Sequence, residues 1–153
     1  MDSISMTAKS WMMPGADPDR FLVDKSALAR VGDPLVGDRL RRLSEFGLLS
    51  TCSIVDLEVL YSARSREDYD TLVDELAGFE HIPIDEAVMD RAKDIQRLLA
   101  AVGQDRLPIP DLIIAATADA GGATLLHYDR DFERIAAATG QPHEWVAAPG
   151  SID

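Results

Sequence analysis

One cysteine, Cys52, and three histidines are all that 153 residues contain of the softer metal ligands. A lone thiol excludes an internal disulfide and a cysteine-rich zinc site, and its place in Leu48-Leu49-Ser50-Thr51-Cys52 reads as a buried side chain. Cations are also scarce. Fifteen lysines and arginines stand against 27 aspartates and glutamates, a formal net charge of −12. That argues against whole-surface binding to nucleic acid, because phosphate affinity comes from basic side chains. It leaves room for a local basic strip, for carboxylates awaiting a metal ion, or for a basic partner. Although 46% of the residues are hydrophobic, no run approaches the ~20 apolar residues of a membrane span. Residues 1–19 carry one lysine and no apolar segment, unlike a secretory signal. The expectation is a cytoplasmic protein with no membrane contact.

The length suits one domain with a core that needs no staples. Residues 1–19 mix Ser, Met, Pro, Gly and Asp without periodicity and read as a flexible leader, so the domain is expected over residues 20–153. Phe21-Leu22-Val23 fits a short buried strand ending in the polar turn Asp24-Lys25-Ser26. Leu35 to Phe46 fits an amphipathic helix whose outer face carries Arg39, Arg41 and Arg42, either a solvated face or a phosphate contact. A strand over Leu48–Cys52 should lead to a helix capped by Ser53 and running to about Arg64. Helices are further expected over 67–77 and 85–102, with a strand over 79–84 between them. Pro108-Ile109-Pro110 should open a short, nearly all-apolar helix that stops at Gly121-Gly122. A strand over 123–128, a helix over 132–139 stopped by Gly140, and a final edge strand over 143–147 complete the chain. Strands alternating with helices define an α/β class with a largely parallel sheet, in which ligands bind beyond the carboxyl ends of the strands.

Four carboxylates stand out, each for its own reason. Asp24 and Asp129 directly follow predicted strands. Asp111 sits in the first turn of the apolar helix; its plainer role is to complement the helix dipole, worth roughly 0.3–1 kcal/mol. Glu58 falls on one helical arc with Ile54, Leu57 and Tyr61, read as the buried stripe, whereas Asp56 points the other way. A buried glutamate needs a cation; an ion pair with Arg64 or Arg66 is the plainer alternative. Two ionised carboxylates about 5 Å apart repel by ~3 kcal/mol at an effective dielectric of 20, so four in one pocket require a cation. Oxygen-only ligands select Mg²⁺ or Mn²⁺ over zinc, and carboxylate-held Mg²⁺ is suited to phosphodiester hydrolysis.

The segments Val23-Asp24-Lys25-Ser26-Ala27-Leu28, Ser53-Ile54-Val55-Asp56-Leu57-Glu58, Ile109-Pro110-Asp111-Leu112-Ile113-Ile114-Ala115-Ala116 and Leu126-His127-Tyr128-Asp129-Arg130-Asp131-Phe132 follow in that order. Together they resemble the four signature segments of PIN-domain ribonucleases, in particular the VapC-type toxins of bacterial toxin–antitoxin pairs. The resemblance covers Arg20 to about Pro149. It implies a three-layer fold, a central largely parallel sheet flanked by helices. It also implies a Mg²⁺- or Mn²⁺-dependent endoribonuclease with Asp24, Glu58, Asp111 and Asp129 as the acidic site and the Ser26 hydroxyl holding the metal's water shell. The expected partners are an RNA substrate, an antitoxin whose tail occupies the active-site groove, and a second copy in a homodimer.

Lys25 departs from the pattern, where threonine is commoner in the family. Its ammonium would contact substrate phosphate or sit in solvent, and alternation along an extended segment favours solvent. His127 is expected as a packed sheet residue rather than a ligand. Of the two acids around Arg130, Asp129 should point into the site, while Asp131, just before the expected helix start, offers either an N-cap or a metal contact through a water. The competing reading is a non-catalytic acidic module, either a degenerate PIN scaffold or a phospho-receiver-like domain. The latter would want a late lysine, and none occurs after Lys93.

Overall fold

A computed structural model of the chain describes residues 20–152; the expected leader at 1–19 lies outside them. Strand β1 (Phe21–Val23) is followed by helices α1 (Lys25–Leu28) and α2 (Pro34–Glu45), then β2 (Leu49–Thr51), α3 (Ser53–Tyr61), α4 (Arg66–Leu76) and β3 (Glu80–His81). The second half comprises α5 (Glu86–Ala101), α6 (Ile109–Ala120), β4 (Thr124–His127), α7 (Arg130–Thr139) and β5 (His143–Trp145). The strands form one sheet in the order β3-β2-β1-β4-β5, with every pairing parallel.

The short strands alternate their side chains between two apolar layers, as the pleat requires. Leu22 and Leu125 face the larger layer, with Val55 of α3, Ile95 and Leu99 of α5, Leu112 and Ile114 of α6, and Phe132 and Ile135 of α7. Phe21, Val23 and Leu126 face the other, with Val36 and Leu40 of α2. The central strand β1 pairs with β2 on one side and β4 on the other, so the chain leaves its carboxyl end between two diverging connections. A crevice at that point is where an open α/β sheet places its ligand.

Local chemistry sets the element ends. Asp24, Asp33, Ser65, Asp85 and Asp129 cap α1, α2, α4, α5 and α7 through their side chains. Gly140, at φ 76°, ends α7 in the left-handed conformation that glycine adopts without penalty. Several boundaries differ from the expectations. The turn after β1 is a helical turn, α1, nucleated by the Asp24 cap. Cys52 rather than Ser53 occupies the N-cap of α3, with no side-chain hydrogen bond, and the helix ends at Tyr61 rather than near Arg64. Strand β3 keeps only two residues. Among the described residues no helix is long and apolar enough to cross a membrane.

Candidate active site: an acidic cluster at the sheet's carboxyl edge

Pairing of β1 with β4 continues one residue past β1, the Asp24 N–H donating to the Leu126 carbonyl at 2.9 Å. Asp24 is thereby held rigidly at the crevice, 4% exposed. Its Oδ2 accepts the Ser26 N–H at 2.9 Å, whereas its buried Oδ1 has no partner in the protein. Asp111 occupies the first turn of α6 behind Pro108-Ile109-Pro110 and is 8% exposed. Asp129 caps α7, its Oδ1 accepting the Asp131 N–H at 2.9 Å, and Asp131 lies in the first turn of that helix. Asp111, Asp129 and Asp131 each offer a carboxylate oxygen within 4.8 Å of the others.

The expected N-cap role of Asp131 is therefore incorrect. α7 begins two residues earlier than the apolar pattern suggested, so the capping position falls on Asp129 and Asp131 turns back toward the site. Its Oδ1 also accepts from Arg134 Nη1 at 2.7 Å, one turn along the helix.

The acids act on one another. Burial, followed by the charges of Asp24, Asp129, Asp131 and Glu58, pushes the Asp111 carboxyl from 3.8 up to about 8. Asp24 is also raised, chiefly by burial and further by Asp129, against hydrogen bonds from Ser26. Glu58 is raised by burial and then by Asp24, partly offset by Lys25. Of the five predicted acids the structure brings Asp111, Asp129 and Asp131 close enough to share a cation, while Asp24, with its unpartnered oxygen, and Glu58 lie outside that group and act on Asp111 through their charge. This all-oxygen donor set fits a hard divalent ion.

Glu58 arrives by a different route from the one its periodicity suggested. The arc of Ile54, Leu57, Glu58 and Tyr61 is not the core stripe of α3: Leu57 is 61% exposed and Tyr61 90% exposed, whereas Val55 is fully buried and Ile54 and Val59 pack against the core partly buried. The arc instead lines an open recess of about 330 Å³ with Lys25 and Pro110. Lys25 borders this open recess and starts a helical turn instead of continuing an extended segment. Asp56 does point elsewhere, bonded to Thr51 Oγ1 at 2.9 Å and to His81 Nε2 at 2.7 Å.

The α2 arginines are spent on neighbours. Arg39 pairs with Glu144 at 2.6 Å, Arg41 with Asp38 and Glu45, and Arg42 with Asp38 at 3.2 Å. A separate apolar groove of about 690 Å³, bounded by Leu28, Val31, Leu40, Val59, Leu72, Leu76 and Phe79, contains none of the clustered acids.

Ser26 and His127 brace the site. The Ser26 hydroxyl accepts the Tyr128 N–H at 2.8 Å, tying α1 to the turn before Asp129. His127, fully buried, packs its ring against Phe132 and Trp145, as expected of a sheet residue. Burial, and then His143, lowers its pKa to about 4, so the ring is neutral. His143 received no role from the sequence; its 16-residue separation from His127 gave no local signal of their contact.

A parallel five-stranded sheet with an acidic cleft beside β1 and β4 defines the class, and the PIN domain model matches residues 21–138. The chain is 51% identical over 134 residues to ribonuclease VapC21 of Mycobacterium tuberculosis, covering 86% of this chain and 97% of that protein. Ribonuclease VapC51 of the same organism is 42% identical over 134 residues, covering 88% and 98%. In fold this chain is similar to a chain of a DNA-bound VapBC complex from Salmonella typhimurium, with a TM-score of 0.71 at 19% identity, covering 84% of this chain and 98% of that one. The chain belongs to the PIN-domain family and, within it, to the VapC proteins.

Proposed function

We propose that this protein is the endoribonuclease toxin of a toxin–antitoxin pair, acting in the cytoplasm and requiring Mg²⁺, with Mn²⁺ as a substitute. The observation that carries the reading is the convergence of Asp111, Asp129 and Asp131 within 4.8 Å; the charge of Asp24, whose buried Oδ1 has no partner in the protein, acts on Asp111. Asp24, Glu58, Asp111 and Asp129, with Asp131 in support, would hold the cation. When bound, such an ion supplies Lewis-acid activation of water and of the scissile phosphate. Asp111 must release its proton for the cluster to take a divalent cation. Lys25, on the wall of the recess with Glu58, offers the positive charge that draws a substrate phosphate toward these acids. Ser26 keeps Asp24 in place through its backbone N–H and holds the Tyr128 turn through its hydroxyl; support of the water shell would be additional.

Relatives named as ribonucleases favour RNA as substrate, and structural neighbours that are VapBC complexes from Salmonella typhimurium and Rickettsia felis favour an antitoxin partner. A basic tail of that partner suits the acidic cluster, and the apolar groove beside α2 and α4 suits an apolar segment of it. Exposed Leu57, Tyr61 and Ile109 near the recess favour a homodimer that borders the site. Membership of the PIN family displaces the phospho-receiver alternative, and the presence of every expected acid weighs against a degenerate scaffold.

The test is cleavage of total RNA by purified, antitoxin-free protein. Mg²⁺ or Mn²⁺ should switch cleavage on, EDTA should abolish it, and Asp111→Asn should lose it while remaining folded. Undiminished cleavage by Asp111→Asn in Mg²⁺ would overturn the assignment.

A further inference from the structure

The buried ring of His127 makes two directional hydrogen bonds. Its Nδ1 faces the Asp129 N–H at 3.1 Å. A backbone N–H can only donate, so Nδ1 carries no proton and the ring proton sits on Nε2. Nε2 lies 2.9 Å from His143 Nδ1, which must then be the acceptor, leaving the second ring's proton on its own Nε2. Donation thus runs one way from His127 to His143, and the direction is set by the amide of a residue in the acidic cluster. The two rings lie edge to edge and nearly coplanar, 19° apart with centroids at 5.2 Å, and Phe132 and Trp145 close on His127 at 5.4 and 5.0 Å, so it has no free rotation. Strand β5 delivers His143 by pairing it opposite Leu125.

We propose that His127 and His143 form a one-way hydrogen-bond relay that fixes the Asp129 backbone and so positions its carboxylate for a divalent cation. The relay rests on the metal-dependent reading above. Asp129 is held at both ends of its turn: its N–H by His127, and its Oδ1 by the Asp131 N–H. Both constraints together leave Oδ2 directed by the turn rather than free to rotate. If the acceptor at position 143 is lost, the buried Nε2–H of His127 has no partner and only the Asp129 amide still holds the ring in that tautomer. The other tautomer would set an Nδ1–H against the Asp129 N–H, donor against donor, and displace the turn. Neither histidine touches the metal in this scheme; both are positioning residues acting through Asp129.

The experiment uses the full chain and MnCl₂ alone. Long-range ¹H–¹⁵N spectra of the metal-free protein should show both rings as the Nε2–H tautomer. In calorimetric titrations His143→Leu, which fills the space but accepts nothing, should bind Mn²⁺ about tenfold more weakly, while His143→Asn, whose carbonyl can replace Nδ1, should stay within about threefold of the parent. Melting curves check that each variant is folded. If His143→Leu does not fold, the tautomer spectrum of the unaltered chain decides. An Nδ1–H tautomer at His127, parental Mn²⁺ affinity in His143→Leu, or equal weakening by Leu and Asn would overturn the relay. A parent chain that binds no Mn²⁺ would overturn the metal-dependent reading itself, and this inference with it.

Discussion

Asp131 donates its backbone N–H to Oδ1 of Asp129, so the carboxylate that caps α7 is also one of the three that converge in the acidic cluster. Capping and cation binding can be separated by substitution. Asparagine caps about as well as aspartate but lacks the charge, whereas alanine loses the cap at a typical ~1 kcal/mol. Asp129→Asn should therefore lose metal-dependent cleavage with stability nearly unchanged, and Asp129→Ala should lose both. Asp131→Ala removes a cluster oxygen already shared with Arg134, and an i,i+3 pair of this kind is worth only about 0.2–0.5 kcal/mol. Its cleavage should fall less than that of Asp129→Asn, with little change in melting temperature. An inactive Asp131→Ala beside an active Asp129→Asn would reverse the assignment.

Asp111 gives the cluster a pH dependence whose sign is fixed. Its folded pKa of about 8 lies above its ordinary 3.8, so between those values the folded chain holds a proton that the unfolded chain releases. Stability of the metal-free protein should fall as pH rises through that window and level off above about 8. Asp24 and Glu58, raised for related reasons, act in the same direction. Thermal melts across this range should show the decline, Mn²⁺ should oppose it, and Asp111→Asn should remove much of it. Calorimetry in buffers of different ionisation enthalpy should also show proton release on Mn²⁺ binding near neutrality. A flat metal-free profile in the parent would contradict the shared field.

Ser26 provides a structural control close to the acids. Its hydroxyl accepts the Tyr128 N–H, which would be left without that partner by alanine; for this part-buried donor the loss is about 1 kcal/mol, the low end of the cost of an unsatisfied group. Ser26→Ala should lower the denaturation midpoint and also weaken Mn²⁺ binding, since Tyr128 precedes Asp129. Unchanged stability would show that water replaces the hydroxyl and that the tie between α1 and the turn is dispensable.

The parts of this site that were legible were those written in local chemistry. Asp24 and Asp129 follow short apolar runs, and Pro108-Ile109-Pro110 announces the start of α6, so three acids could be placed at element ends without long-range information. Glu58 was singled out for a reason that failed. Helical periodicity identifies which residues share an arc but cannot say whether the sheet or solvent covers it, and α3, only nine residues long, has apolar residues on more than one side. The apolar pattern of α7 starts at its first large apolar residue, Phe132, while the Asp129 cap that sets the helix start lies three residues earlier. The His127–His143 contact depends on the pairing of β4 with β5, information that no local pattern contains.

The last prediction concerns inhibition by the proposed antitoxin. A cluster of carboxylates that repel one another can be neutralised by a divalent cation or by an arginine making charge-assisted hydrogen bonds, but not by both in the same space. The chain's net charge of −12 favours a basic tail and makes its approach sensitive to salt. If an arginine of that tail occupies the cluster, partner and metal must compete, and linkage requires the effect to be reciprocal. The purified complex should then bind Mn²⁺ far more weakly than the free toxin, and raising Mn²⁺ should weaken the partner by the same factor. Replacing the tail's arginine by glutamine should restore Mn²⁺ binding while the remaining contacts hold the complex together. A complex that binds Mn²⁺ as tightly as the free protein and still does not cleave RNA would rule out displacement and place the inhibition in blocked access to the recess.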